Sequence, residues 1–374
     1  MDTGYLKDTW YLFATFLECL QPMDYQPDED DFDVSERSLA PRAKTPSEEH
    51  KLLVPVASAQ DALTRLDAMA SMCSPDVVEG LRARMAFREA AGLLAYANVW
   101  VHPLDLALRA SHHTSSYASA SLKGDLRPAL PNTMTGGYRP DSVPDDTMVD
   151  QALRYAGLWR RLGDLTTWFA GVDGDLPVLE ETLGKLGWHG ELDENIRNWV
   201  ERVRKAAPSP ALLQAGWAGR SWGNLPGNLP DLTPDGALLA TAVWKKKGQG
   251  RSIPLPFWSA PNTLHNRLSV KTGLDWSVAW LDVVERAAKF GLDELDKLRF
   301  VEAQIEEIPA KTKRAKLPVA LRFAIRQPIF TASSLARHAK ITAPAASALV
   351  NQLEEAGLVR EATKRKSWRA FVLK

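Results

Sequence analysis

Apolar residues along most of the chain recur every three or four positions, which is the spacing of an amphipathic helix. Strand-like alternation is convincing only near the C-terminus, in LVRE and WRAFVL. The chain is therefore predicted to be mainly α-helical, with a small β-hairpin at its end. The segments with helical spacing are 4–20, 58 to about 122, 147 to about 218, 237–246 and 274–308.

Three segments rich in turn-forming or acidic residues interrupt this pattern. Residues 22–50, rich in Pro, Asp and Ser, are predicted to be a mobile arm, and residues 128–146 a loop. In residues 219–232, seven of fourteen positions are Gly, Pro or Asn. A structural loop is the simpler interpretation of 219–232, and a contact with a ligand or partner is the alternative.

The C-terminal residues 313–374 predict three short helices followed by a hairpin. Pro328 ends the first helix, and Thr331 or Ser333 is a candidate N-cap of the second. Thr342 is the predicted N-cap of the third helix, Pro344 lies in its first turn, and Gly357 is its expected C-terminal stop. The buried stripe of the third helix is predicted to be Ala346, Leu349, Val350 and Leu353.

This order of elements is that of a winged helix-turn-helix, which places its third helix in the major groove of DNA. The hairpin, or wing, then meets phosphates. Few side chains of the third helix are good hydrogen-bonding groups, so only modest direct readout of bases is expected. The predicted base-facing positions are Thr342, Ala343, Pro344, Ser347, Ala348 and Asn351, and the predicted phosphate-binding positions are Lys364, Arg365, Lys366 and Arg369.

The formal net charge is zero, but the two ends of the chain carry opposite charge. Residues 1–50 contain twelve Asp or Glu against four Lys or Arg, whereas residues 311–374 contain fourteen Lys or Arg against three Asp or Glu. Such a basic end indicates an anionic partner, and double-stranded DNA is the expected one. A winged helix that only packs against proteins is the alternative.

Residues from about 236 to 374 resemble the second half of Fic-domain proteins that end in a winged helix. The segment SIPLPFWSAPNTLHNRL resembles the family's PLLYLS region, and Asp275, Trp276, Trp280 and Leu281 resemble its GDWxxWL helix. The chain also resembles an uncharacterised family of bacterial, often plasmid-borne, helix-turn-helix proteins. The resemblance implies a Fic-like helical body in front of the terminal module.

Fic enzymes carry H-x-F-x-(D/E)-G-N-G-R-x-x-R, in which the His accepts the proton of the target hydroxyl, the acidic residue holds a metal and the loop cradles phosphates. At the corresponding place only Asp235 and Gly236 remain, with no His between 189 and 265 and no Arg between 220 and 251. YASASLKG resembles the family's inhibitory helix, with Lys123 in place of the Glu. The resemblance therefore implies a scaffold without catalytic residues, nucleotide cofactor or metal.

The remaining candidate groups give no site. Cys19 and Cys73 have no metal-ligand spacing, and His102, His112 and His113 are expected to be ordinary core or surface residues. The run DEDDFD at 28–33 is interpreted as a solvated acidic arm, with metal binding and docking onto the basic end as alternatives. With no apolar run of membrane-spanning length and no signal peptide, the expectation is a cytoplasmic protein.

Three regions follow: an N-terminal helix and acidic arm at 1–50, a Fic-like body at 51–312 and a winged helix-turn-helix at 313–374. The leading hypothesis is a homodimeric DNA-binding regulator of transcription, whose body dimerises or senses a protein partner. The alternatives are a divergent Fic-type AMP transferase acting on proteins and a protein-interaction adaptor.

Overall fold

The computed structural model describes residues 48–97, 99, 101–111, 146–162, 194–205, 210–223, 233–246, 250, 252–260, 268, 271–306, 316–363 and 369–374. In these ranges the protein is mainly α-helical, with eleven helices and a three-stranded antiparallel sheet near the C-terminus, which confirms the predicted class at that level. The first eight helices are α1 (Glu48–Ser71), α2 (Pro75–Tyr96), α3 (Pro103–Ala110), α4 (Asp146–Leu162), α5 (Glu194–Lys205), α6 (Ala211–Gly223), α7 (Pro234–Lys246) and α8 (Gly273–Glu306).

Two helix boundaries differ by five residues or more from the sequence prediction. Helix α1 begins at Glu48, ahead of the predicted start at 58, and it accommodates Pro55 although proline usually breaks a helix. Helix α6 continues to Gly223, so residues 219–223 of the predicted loop 219–232 are helical. Tertiary packing overrides the weak helix propensity of glycine there, since α6 is buried against α7. The rest of that loop, the segments 4–20 and 22–47, and residues 128–145 lie outside the described residues.

The helical body is built on long helix–helix contacts. The 34-residue α8 lies along α1, α2 packs on α4, and α6 packs on α7. Helix α2 starts at a proline behind an N-cap, Ser74, whose Oγ accepts from the Val77 N–H at 3.3 Å. These packed faces share one cluster of buried apolar residues.

Tryptophans anchor the contacts between these helices. Trp159, Trp199 and Trp280 are fully buried, and each indole N–H donates to a backbone carbonyl, at Leu255, Ala218 and Leu212 respectively. The Trp276 and Trp280 rings stack with centroids 5.8 Å apart. Most described tryptophans are thus buried packing anchors, and in Trp159, Trp199 and Trp280 the polar edge is satisfied as well. Trp217 is the exception among the described indoles, at 40% exposed.

A non-helical segment, residues 252–260, runs through the core and is held by side chains of α1 and α2. Asp67 accepts from the Ser252 N–H at 2.6 Å, and Arg82 donates to the Ser252 carbonyl at 2.7 Å. The fully buried Glu89 carboxylate accepts from three successive backbone N–H groups, of Phe257, Trp258 and Ser259, at 2.8–2.9 Å. Backbone that forms no ladder is therefore satisfied by acidic and basic side chains, as buried polar groups must be.

The C-terminal unit, residues 316–374, contains three helices and the sheet. Its strands are ordered β1-β3-β2, with Phe330 paired to Phe371 and Val359 paired to Leu373. The two-residue β1 was not predicted, because so short a strand shows no alternation in the sequence. The elements are α9 (Leu317–Arg326), β1 (Phe330–Thr331), α10 (Ala332–Ala339), α11 (Ala343–Glu355), β2 (Val359–Glu361) and β3 (Ala370–Leu373).

The C-terminal unit shares its core with the body. Helix α9 lies against α2 and α8, and its buried face belongs to the main apolar cluster. On the other side, Ala107 and Leu108 of α3 pack against Ile329, Ala370 and Val372 of the unit. In the ranges the structure describes, no helix combines the length and apolar character needed to cross a membrane.

Candidate nucleic-acid interface

Helix α11 buries one face and exposes the other. Thr342 is its N-cap, with Oγ1 accepting from the Ala345 N–H at 3.4 Å, and Pro344 lies in the first turn, as predicted. Gly357 follows the helix at φ +72°, where a residue without Cβ is favoured. The predicted stripe, Ala346, Leu349, Val350 and Leu353, is buried, and Thr342, Ala343, Pro344, Ser347, Ala348 and Asn351 are all exposed.

The exposed face of α11 has no charged side chain over its first three turns. Its hydrogen-bonding side chains are Thr342, Ser347 and Asn351, between the apolar surfaces of Ala343, Pro344 and Ala348. Such a surface can offer a bidentate amide to one base and methyl groups to others, but no long cation to a guanine.

The helix before the turn is fixed by a capping box. The Thr331 side chain accepts from the Ser334 N–H at 3.1 Å, and Ser334 Oγ accepts from the Thr331 N–H at 2.9 Å. This selects Thr331 over Ser333 as the N-cap. At the other end, the His338 ring stacks on Phe323 with centroids 4.6 Å apart, which ties α10 to α9.

Two cations stand beside α11 at the end of α10. Arg337 and Lys340 are exposed and one helical turn apart, and within the described ranges neither is paired with a carboxylate. Lys340 is the C-cap of α10 and has left-handed backbone angles, φ 51° and ψ 52°. The turn between α10 and α11 therefore presents positive charge next to the uncharged α11 face.

Arg369 is engaged by carboxylates of its own unit. Its guanidinium lies 3.0 Å from Glu354 of α11 and 3.0 Å from Glu361 of β2, and it stacks over the Phe371 ring at 4.9 Å. These contacts brace the base of the hairpin against α11. The other predicted phosphate-binding residues, Lys364, Arg365 and Lys366, lie outside the described residues, as does Trp368.

A buried arginine joins the C-terminal unit to the body. Arg84 of α2 donates to the Ile325, Ala324 and Gln327 carbonyls at 2.6, 3.3 and 2.9 Å, at the C-terminal end of α9. Burial lowers the pKa of the Arg84 guanidinium to about 10, partly opposed by Glu294 at 3.8 Å. A Cβ on Gly80 would lie 2.1 Å from the Ile325 oxygen, so the two helices touch backbone to backbone.

Asp235 and Gly236, the two residues that match the Fic motif, lie at the start of α7. The Gly236 N–H donates to the Thr233 hydroxyl at 3.0 Å, and a Cβ on Gly236 would lie 2.5 Å from the Gly219 oxygen of α6. Burial raises the pKa of Asp235 to about 6, although Arg154 lowers it. Helix packing thus accounts for Gly236, and the Asp235 carboxyl lies in surroundings that disfavour its charge.

Three residues that matter to this architecture were not singled out from the sequence: Arg84, Glu89 and Lys340. Arg84 and Glu89 lie in a helical run with ordinary charged spacing, so nothing in the sequence marks them as buried. Lys340 directly follows α10, at a helix end where glycine is the usual residue. The absence of glycine there was the sequence signal that a residue with a Cβ takes the left-handed conformation.

The other candidate groups are assigned as far as the structure describes them. His102 is the N-cap of α3, its Nδ1 accepting from the Leu104 N–H at 3.1 Å. His112, His113, the 28–33 acidic run and Lys123 lie outside the described residues. No group of three potential metal-ligating His, Cys, Asp or Glu side chains occurs in the described ranges.

A scan against protein-family models and a search of curated proteins both find no match to the chain.

Proposed function

We propose that the C-terminal unit is a winged helix-turn-helix and that the protein binds double-stranded DNA through it. The supporting order is α9-β1-α10-α11-β2-β3, with the short strand β1 on the outer side of the hairpin. The observation that carries the proposal is the outer face of α11, which is exposed at residues 342–345, 347, 348 and 351 while the opposite face is buried. A helix presented in this way fits the major groove.

The charge of the region favours nucleic acid over a protein partner. The surplus of Lys and Arg in residues 311–374 contrasts with the acidic N-terminal fifty residues. Two of the three acidic residues of this region, Glu354 and Glu361, are paired with Arg369. The remaining cations then attract phosphates with little opposing charge.

The proposed docking gives each part a separate role. Residues Thr342, Ala343, Pro344, Ser347 and Asn351 face base edges, and Lys364, Arg365 and Lys366 bind phosphates. Arg369 holds the hairpin base through its two carboxylates, so its contribution to DNA binding is the orientation of the wing. The small, neutral reading face favours modest sequence preference and the use of two copies, as a homodimer on an inverted repeat.

We further propose that the helical body is a Fic-like scaffold without nucleotide transfer. This is supported by the sequence, which lacks the family's His and Arg around Asp235 and Gly236. It is also supported by the packing role of Gly236 and by the raised pKa of Asp235, which suits a buried carboxyl better than a metal ligand. The body would then dimerise or sense a protein partner that controls transcription.

Selection of bound duplexes from a random DNA pool tests the proposal directly. Inverted half-sites separated by whole helical turns are expected, and affinity should fall with salt along a log–log line. Changing Lys364, Arg365 and Lys366 to Gln should weaken binding by about tenfold or more and flatten that line. A matched control removes three α8 cations, Lys289, Lys297 and Arg299, and should leave binding unchanged.

Assays on the same purified protein distinguish DNA binding from AMP transfer and from an adaptor role. A protein that enriches no sequence and shows no salt-dependent binding is not a DNA-binding regulator. Transfer of label from ATP to a protein would identify an AMP transferase. Stable association with a protein partner in the absence of both activities would identify an adaptor.

A further inference from the structure

Lys340 has a backbone conformation that its residue type disfavours. Among the residues that the structure describes, it is the one non-glycine residue with positive φ, at φ 51° and ψ 52°. A side chain with a Cβ is strained in this left-handed region, and glycine is the usual residue at such a helix end.

At the next helix end of the same unit, a glycine takes the left-handed backbone conformation without strain. Gly357, just after α11, has φ +72°, and a Cβ there would meet nothing within 4 Å. The chain therefore uses glycine at one left-handed position and lysine at the other. The fold alone gives no reason for this difference, because the Lys340 backbone needs only the N–H bond to the Ala336 carbonyl.

Among the described residues, the Lys340 side chain has no hydrogen-bond or ion-pair partner that would compensate the strain. It is exposed, and in the described part of the chain no carboxylate pairs with it. It stands two residues before Thr342, the N-cap of α11, and one turn beyond Arg337. This is the border between the cationic end of α10 and the neutral reading face.

We propose that Lys340 is a phosphate contact that fixes α11 in the major groove, and that its charge is retained at the expense of folding stability. The inference rests on the DNA-binding function proposed above. Backbone strain at a binding site is a known device for placing a functional group. The ammonium group would neutralise one phosphate beside the groove and so orient α11 without reading a base.

The test compares three variants of the full-length chain, because stability and binding should change in opposite directions. Lys340→Gly should raise Tm by about 1–3 °C, since the strain is relieved. It should also weaken binding to a mixed-sequence duplex of about 30 base pairs by three- to tenfold and lower the salt slope by about one. Lys340→Gln should bind as weakly without the gain in Tm, and Lys340→Arg should match the wild type.

Each outcome decides a different point. If Lys340→Gly gains stability and keeps full affinity while the wild type binds DNA, the phosphate contact is wrong and the proposed function stands. If Lys340→Gly is less stable than Lys340→Gln, the strain is wrong and the inference fails. If the wild type does not bind the duplex, the proposed function fails and takes this inference with it.

Discussion

Burial of the Glu89 carboxyl in the described core has a large desolvation cost that hydrogen bonds must offset. The carboxyl is completely buried, it accepts from three backbone N–H groups of residues 257–259, and no described cation pairs with it. Burial raises its pKa to about 7, and the hydrogen bonds from Ser259, Trp258 and Phe257 lower it in part. A buried acid of this kind stabilises the segment that it holds and makes the fold sensitive to pH.

We expect the free energy of unfolding to fall as pH rises from about 5 to 7. In the folded protein the Glu89 carboxyl keeps its proton to about pH 7, whereas its ordinary pKa is 4.5. Unfolding between these values releases a proton and is favoured by raising the pH, by up to about 3 kcal/mol in total. Urea unfolding at pH 5 and pH 8, for the wild type and Glu89→Gln, measures this.

The matched variant separates Glu89 from other titrating groups. Glu89→Gln keeps an acceptor oxygen but cannot ionise, so its stability should change less between pH 5 and pH 8 than that of the wild type. Equal pH profiles for the two proteins would mean that the three N–H donors keep the carboxylate charged throughout this range.

At the scale of elements, the composition of α11 sets which bases the proposed DNA-binding unit would contact. The exposed face of α11 carries methyl and methylene groups, the hydroxyls of Thr342 and Ser347 and the amide of Asn351. Thymine is the base that presents a methyl group in the major groove. The side chains that can contact such methyls are Ala343, Pro344 and Ala348. If the protein binds DNA as proposed, we therefore expect half-sites rich in A·T pairs.

Replacing thymine by uracil within a selected half-site should weaken binding by about threefold for each contacted methyl, because only apolar burial is lost. Competition binding with synthetic duplexes measures it. Uracil outside the half-sites provides the control and should have no effect. Full affinity for a half-site without thymine methyls would show that α11 does not read DNA through its small side chains.

Short-range signals made most of this unit predictable. Thr342, Pro344 and Gly357 act within one helical turn of their own positions, so local chemistry suffices to place the ends of α11. Contacts between distant segments were not predictable. Strand β1 exists because Phe330 pairs with Phe371, and Arg84 finds its carbonyl partners about 240 residues away in the sequence. The extension of α6 to Gly223 is likewise fixed by its neighbour α7.

At the scale of the molecule, the C-terminal unit packs directly against the helical body. Arg84 binds the end of α9, and α3 packs on the far side against the sheet residues Ala370 and Val372. If the body dimerises, as proposed, the distance between the two α11 helices is then set by the body. A ligand or partner that shifts the body would change the half-site spacing that the dimer accepts.

The shared core leads us to expect a single cooperative unfolding transition for the described regions. Arg84→Met should destabilise them by about 3 kcal/mol, because the buried carbonyls of α9 lose their donor, and should make the C-terminal unit melt first. Arg65→Met, in the exposed pair with Asp61, is the control and should have little effect. Calorimetry measures both, and two transitions in the wild type would contradict the shared core.

The anchoring of residues 252–260 has a consequence for the order of events during synthesis. Glu89 and Phe257 are separated by 168 positions, and Asp67 and Ser252 by 185, so the ribosome releases both acidic anchors long before the backbone that they hold. While the chain is still being synthesised, the Asp67 and Glu89 carboxylates of α1 and α2 remain hydrated, because the residues that donate N–H groups to them have not yet been made. Docking of residues 252–260 onto α1 and α2 is therefore a late step of folding. The core is completed only after most of the polypeptide has emerged.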